Sequence, residues 1–161
     1  MTGAILLAGV GNEYRSDDGL GIFAAREIRR RNIPGVEVLE FNGEGAAIME
    51  AWEKHNRVII VDAISSGSAI GDVHRLDAVN EEIPADFFHY SSHTFGLVEA
   101  IAMARLLHRL PETLLLYGIE GKQFDVGIGL TDAVLRSMPA LLSNIENELR
   151  QLCNRLPEAT P

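Results

Sequence analysis

Short apolar runs alternating with longer amphipathic segments predict an α/β fold built on a mainly parallel sheet. Two further observations agree. A glycine-rich loop joins the first apolar run to the first amphipathic segment, as in a strand–loop–helix unit. The run "RVIIVDAI" (Arg57 to Ile64) is the most strongly apolar of the chain, as a central strand buried on both faces requires. With 161 residues, of which 47% are apolar and 23% charged, the chain has the size and composition of one globular domain with its own core.

The elements follow in order. "AILLA" (Ala4 to Ala8) reads as a buried strand ending at Gly9. After the glycine loop, Leu20, Phe23, Ala24 and Ile28 recur at helical spacing. "VEVLEF" (Val36 to Phe41) alternates as a strand does, and "AAIMEAWEKH" (Ala46 to His55) reads as a second helix. "RVIIVDAI" is the central strand and closes on Asp62, while "GDVHRLD" (Gly71 to Asp77) reads as a short edge strand. In "SSHTFGLVEAIAMARLLHRL", hydroxyl residues suited to N-capping precede Leu97, Ala100, Ile101, Ala104 and Leu107 on one helical face. "TLLLYGI" (Thr113 to Ile119) is the last strand, and Thr131 opens a final helix running to about Leu152, with Pro139 near its first turns. The tail beyond about residue 156 is expected to fray.

Charge and cysteine usage narrow the function classes. The formal net charge of −9 argues against nucleic acid as a partner. The basic run "REIRRR" (Arg26 to Arg31) falls near a helix C-terminus, where the dipole favours cations. The single cysteine, Cys153, excludes an internal disulfide and reads as a half-buried structural thiol on the last helix. No apolar run approaches the roughly 20 residues that span a bilayer. A monomer in a reducing cytoplasm, without membrane attachment, is the expectation.

In open parallel sheets, sites form outside the carboxyl ends of the strands. Asp17 and Asp18 follow the first strand, Asp62 closes the third and Glu120 follows the last, so all are expected on one rim. An aspartate ending an apolar strand needs a partner, because an unpaired buried carboxylate costs several kcal/mol or takes up a proton. That partner is either a backbone amide of its own turn or a ligand or metal. Asp17 and Asp18, taken alone, read as carboxylates stabilised by the free N–H groups of a helix start. His93, at the start of a helix on the same side, has its neutral form favoured by the dipole, and neutral imidazole is what metals bind. Two carboxylates and one imidazole leave positions open on zinc, nickel, cadmium or manganese. His89 lies four residues before His93 in what reads as a loop, and His55, His74 and His108 read as surface or packing residues.

The glycine loop is not a nucleotide cradle. Tyr14 stands where the third glycine of G-x-G-x-x-G belongs, no Gly-Lys-Ser/Thr follows, and two aspartates at a helix start repel phosphate. A G-x-S-x-G elbow, H-E-x-x-H and a Cys/His pair are also missing, so any hydrolysis must rely on a metal or on water activated beside it.

"GVGNEYRSDDGLG", "VIIVDAI", "SSHTFGL" and "YGIEGKQFDVGIGLTDAV" occur in the order and at about the spacing of one family. From about Ile5 to Leu149 the chain resembles the hydrogenase maturation endopeptidases, which process the large subunit of nickel–iron hydrogenases. The resemblance implies a single domain over 1–161, a three-layer α/β/α sandwich around a twisted, mostly parallel five-stranded sheet. It implies an endopeptidase that removes the C-terminal extension of the large-subunit precursor once nickel is inserted. Its catalytic and metal-binding positions fall on Asp18, Asp62 and His93. The metal is nickel carried by the substrate, with no permanently bound cofactor. The alternative is a non-cleaving module of the same fold that senses metal or docks a partner. One segment departs from the family: many members carry Asp-Gly-Gly-Thr-x-Gly where this chain has "FNGEGAA" (Phe41 to Ala47), with Glu44 either supplying the missing charge or standing as a surface residue.

Overall fold

The computed structural model describes residues 4–88 and 94–155. The elements are β1 (Ile5–Val10), a 3-10 turn (Ser16–Gly19), α1 (Leu20–Arg30), β2 (Val36–Phe41), α2 (Gly45–Trp52) and β3 (Arg57–Ile64). There follow β4 (Val73–Asp77), α3 (Leu97–Leu106), β5 (Thr113–Glu120) and α4 (Asp132–Asn154). One five-stranded sheet in the order β2-β1-β3-β5-β4 organises them, parallel throughout except for β4, which runs antiparallel along β5.

Period-two alternation sorts the strand side chains into two layers. Ile5, Leu7, Ile59, Val61, Leu115 and Tyr117 meet α1 and α4 on one face. Leu6, Ala8, Val58, Ile60, Leu114 and Leu116 meet α2 and α3 on the other. The expected α/β/α sandwich is the observed one. The central strands β1, β3 and β5 are buried along nearly their whole length, as their continuous apolar runs require.

Several boundaries differ from the sequence expectations, each for a physical reason. β1 continues through Gly9 to Val10, because Gly9 serves helix packing and not the turn. A Cβ there would collide with Gly21 O, and one at Gly21 with Val61 O, so the two glycines let α1 lie directly on β1 and β3. The turn falls to Gly11, at φ +146°. α2 ends at Trp52, where Lys54 and His55 donate to Ala51 O and Trp52 O and tighten the last turn. Asp62 does not close β3: Ala63 and Ile64 continue the strand against Ile119 and Glu120. Glu120 is accordingly the last residue of β5 rather than the first beyond it.

The start of α3 shifts most. Its N-cap is Gly96, with extended backbone and no side-chain cap, and the first helical residue is Leu97. Gly45 N–H donates to Phe95 O at 2.8 Å and holds that residue outside the helix. Position 93 therefore falls before the first turn of α3 and not within it. His89, Ser91, Ser92 and His93 themselves lie outside the described residues, as does the tail from 156.

The basic run of α1 is paired: Arg26 with Glu13 and Glu40, Arg29 with Glu40, Arg30 with Glu27 and Arg31 with Glu146. Cys153 is half-buried near the C-terminus of α4. No helix among the described residues is long and apolar enough to cross a membrane.

Candidate active site

Asp18 and Asp62 come together at the carboxyl end of the sheet, on neighbouring strand ends. Asp18 sits in the 3-10 turn after β1, and that turn packs against β3. The Asn12 N–H is shared between its Oδ2, at 3.1 Å, and its carbonyl, at 3.2 Å. Asp62 projects from β3, and its Oδ1 accepts the Ala63 N–H at 2.7 Å. Burial, and then the negative charge of Asp18, push the Asp62 carboxyl well above the usual carboxylate range, against the opposing pull of the Ala63 N–H. Two carboxylates so placed share a proton or hold a divalent cation between them, and a cation would take the place of the proton.

The remaining rim residues have structural roles. Asp17 is fully buried, and its sequence reading as a helix-start carboxylate is corrected. Its carboxylate accepts from the backbone of Lys122, Gln123 and Thr131 at 2.8, 3.1 and 2.8 Å, and from the Thr131 hydroxyl. It thus fastens the loop after β1 to the loop after β5. The helix-start expectation for this stretch fails because Ser16, at φ +52°, donates its N–H to Gly127 O, and neither the 3-10 turn nor α1 has a side-chain cap. Glu120 is buried and accepts from Ser66 N–H, Ser66 Oγ and Gly67 N–H, pinning the loop after β3. His74 Nε2 stands 3.3 Å from Glu120 Oε2, off the line of a hydrogen bond, with its ring edge-on to Phe87. His55 is buried and bridges Ala51 O and Glu37.

Glu44, in the segment that departs from the family pattern, is the N-cap of α2: its two carboxylate oxygens accept from Ala46 and Ala47, each at 3.0 Å. Gly45 lies against Phe95 and Gly96, where a Cβ would touch the Phe95 ring at 2.8 Å. No group of three or more metal-ligating side chains occurs among the described residues, and the described part of the proposed trio is its two carboxylates.

The sequence reading missed the clamp made by Asp17. The signal was the doublet Asp17-Asp18 itself: neighbouring residues in a tight turn point in different directions, so two adjacent carboxylates rarely share one task.

The five-stranded, mostly parallel sandwich matches known proteolytic enzymes. The HycI hydrogenase maturation protease model matches residues 24–148, a span that includes Asp62 and His93 and begins after Asp18. The hydrogenase 2 maturation protease of Escherichia coli is 30% identical over 151 residues, 91% of each chain. The structure of the hydrogenase maturating endopeptidase HybD from E. coli superposes with a TM-score of 0.80 at 30% identity, covering 92% of this chain and 93% of that one. The NiFe hydrogenase maturation protease HybD from Thermococcus kodakarensis shares the fold, with a TM-score of 0.70 at 24% identity over 91% of this chain and 99% of that one. The chain belongs to the hydrogenase maturation protease family.

Proposed function

We propose that this protease removes the C-terminal extension of the large-subunit precursor of a nickel–iron hydrogenase after nickel has been inserted. Nickel enters as part of the substrate. Asp18, Asp62 and His93 grip it, leaving positions open for the precursor's own ligands, so that engagement reports on loading. The scissile peptide bond is thereby held beside the carboxylates; water activated there adds to its carbonyl, a carboxylate taking its proton, and the C–N bond then breaks as that proton passes to the departing amine. The observation that carries the reading is the Asp18–Asp62 pair: two carboxylates set close enough to repel, at the sheet edge where α/β folds bind ligands, as a divalent cation would need them.

The test is to incubate the protein with nickel-loaded and with nickel-free precursor and weigh the large subunit by mass spectrometry. Loss of the extension from the loaded form alone is expected. Absence of any mass loss from the loaded cognate precursor overturns the reading. Asp18→Ala and His93→Ala should each abolish cleavage, and full activity in both would break the assignment of the site.

A further inference from the structure

Three large apolar side chains are held out in solvent on the loops that follow β1 and β5, at the end of the sheet that carries Asp18 and Asp62. Tyr14 is 62% exposed, Val126 79% and Ile128 87%, the last being the highest value for a large hydrophobic residue among the described residues. Scattered exposed apolar side chains are ordinary, but a contiguous group is not. A parallel bridge between Arg15 and Gly127 sets their positions side by side: Gly127 N–H donates to Tyr14 O at 2.9 Å and Ser16 N–H to Gly127 O at 2.8 Å. The patch is also built in advance. Asp17 accepts from Lys122, Gln123 and Thr131, and donates its own N–H to Gln123 O, so both ends of the 122–131 loop are anchored. A loop ordered beforehand loses little conformational freedom on binding, which favours use as a contact surface.

We propose that Tyr14, Val126 and Ile128 form a docking surface for the precursor polypeptide and cover apolar side chains of the precursor next to its cleavage point. The inference rests on the functional reading above. What selects the occupant is continuity with the site. Four positions along one short loop separate Tyr14 from Asp18, and Ser16 and Asp17 between them carry the bonds to the 122–131 loop. Four positions span at most about 14 Å of chain, so a polypeptide engaged at Asp18 reaches the patch with the residues next to its cleavage point. A second copy of this chain has no such tie to the site, whereas the substrate must occupy both places at once.

The experiment measures cleavage kinetics on the nickel-loaded, full-length precursor for the wild type, for Val126→Ser combined with Ile128→Ser, and for Tyr14→Ser. Leu106→Ser serves as control, since Leu106 is 81% exposed at the far end of α3. The double variant is expected to lose about tenfold or more in kcat/KM, carried by KM, as removal of a buried apolar anchor does. Its thermal midpoint should stay within about 2 °C of the wild type, because the changed side chains pack in no core. The control should match the wild type. Wild-type KM in both the double variant and Tyr14→Ser overturns the docking surface. So does sedimentation showing a wild-type dimer that the double variant dissociates while KM is unchanged. A wild type that leaves loaded precursor uncut instead defeats the functional reading, and the docking surface with it, so the two failures are told apart by the wild-type lane.

Discussion

Asp62 lies on an otherwise buried strand next to a second carboxylate, and its raised pKa has a consequence for stability. The folded protein holds the Asp62 proton more tightly than the unfolded chain, whose carboxyl titrates near 3.8. Between 3.8 and the raised native value, the native state binds more protons, so stability falls as pH rises through that window and stays lower above it. Asp62→Asn removes the penalty. The variant should unfold at higher urea concentration than the wild type near pH 7, and the gap should close below about pH 3.8 as both chains become neutral at that position. Equal midpoints near neutrality would show that neither the burial of the charge nor the repulsion from Asp18 has energetic weight. On the proposed reading cleavage should be lost in the same variant, since an amide is a poorer ligand for a divalent cation than a carboxylate. Stability and activity are thus expected to move in opposite directions at one position, the usual trade at a functional site.

Between elements, the decisive contact is Asp17 with the loop that leads from β5 into α4. Its carboxylate completes the N-terminus of α4 through Thr131, whose hydroxyl is turned to Asp17 and makes no cap to its own helix. Asp17→Ala leaves three partly buried backbone N–H groups without their acceptor. A loss of roughly 2–4 kcal/mol is expected, measured by denaturant unfolding. Thr131→Ala, which leaves the backbone bonds intact, should cost less. If Asp17→Ala unfolds at the wild-type midpoint, the clamp carries no load. The end of β3 farthest from the site shows the same economy, where Arg57, nearly buried, donates to Leu152 O and Arg155 O and closes the C-terminus of α4. Element limits were legible where the signal was local: β2 runs over Val36–Phe41 as its alternation predicts. They were not legible at α3, whose start depends on Gly45, 50 positions before Phe95, reaching its carbonyl.

Across the whole molecule, the parallel arrangement gives the sheet two unlike ends. The carboxyl end carries Asp18, Asp62 and the apolar patch. The opposite end carries the capped terminus of α4, with Cys153 set 3.7 Å from Pro34 O. Chemistry at that end should not reach the site. Cys153→Ala is expected to cleave the loaded precursor at the wild-type rate, and a loss of activity without loss of folded protein would give the thiol a part in the reaction. That Asp18 and Asp62 belong to one rim follows from strand order, since β1 and β3 are adjacent and parallel and both aspartates fall near their carboxyl ends.

By itself the sequence determined the class of fold, the run of strands and helices, and which carboxylates stand on the rim. Those properties depend on periodicity and on residue type at strand ends, which are local. Only the tertiary structure decided what each carboxylate does. Asp17 and Asp18 are chemically identical neighbours, and they part because the partners of Asp17 lie more than a hundred residues along the chain, brought within hydrogen-bond reach by the closing of the sheet. The same closure gives Glu120 to the loop after β3 and brings the loop of Tyr14 alongside that of Val126 and Ile128. No pattern along a single stretch of sequence encodes such pairings, because their free energy comes from contacts that exist only once the chain has folded.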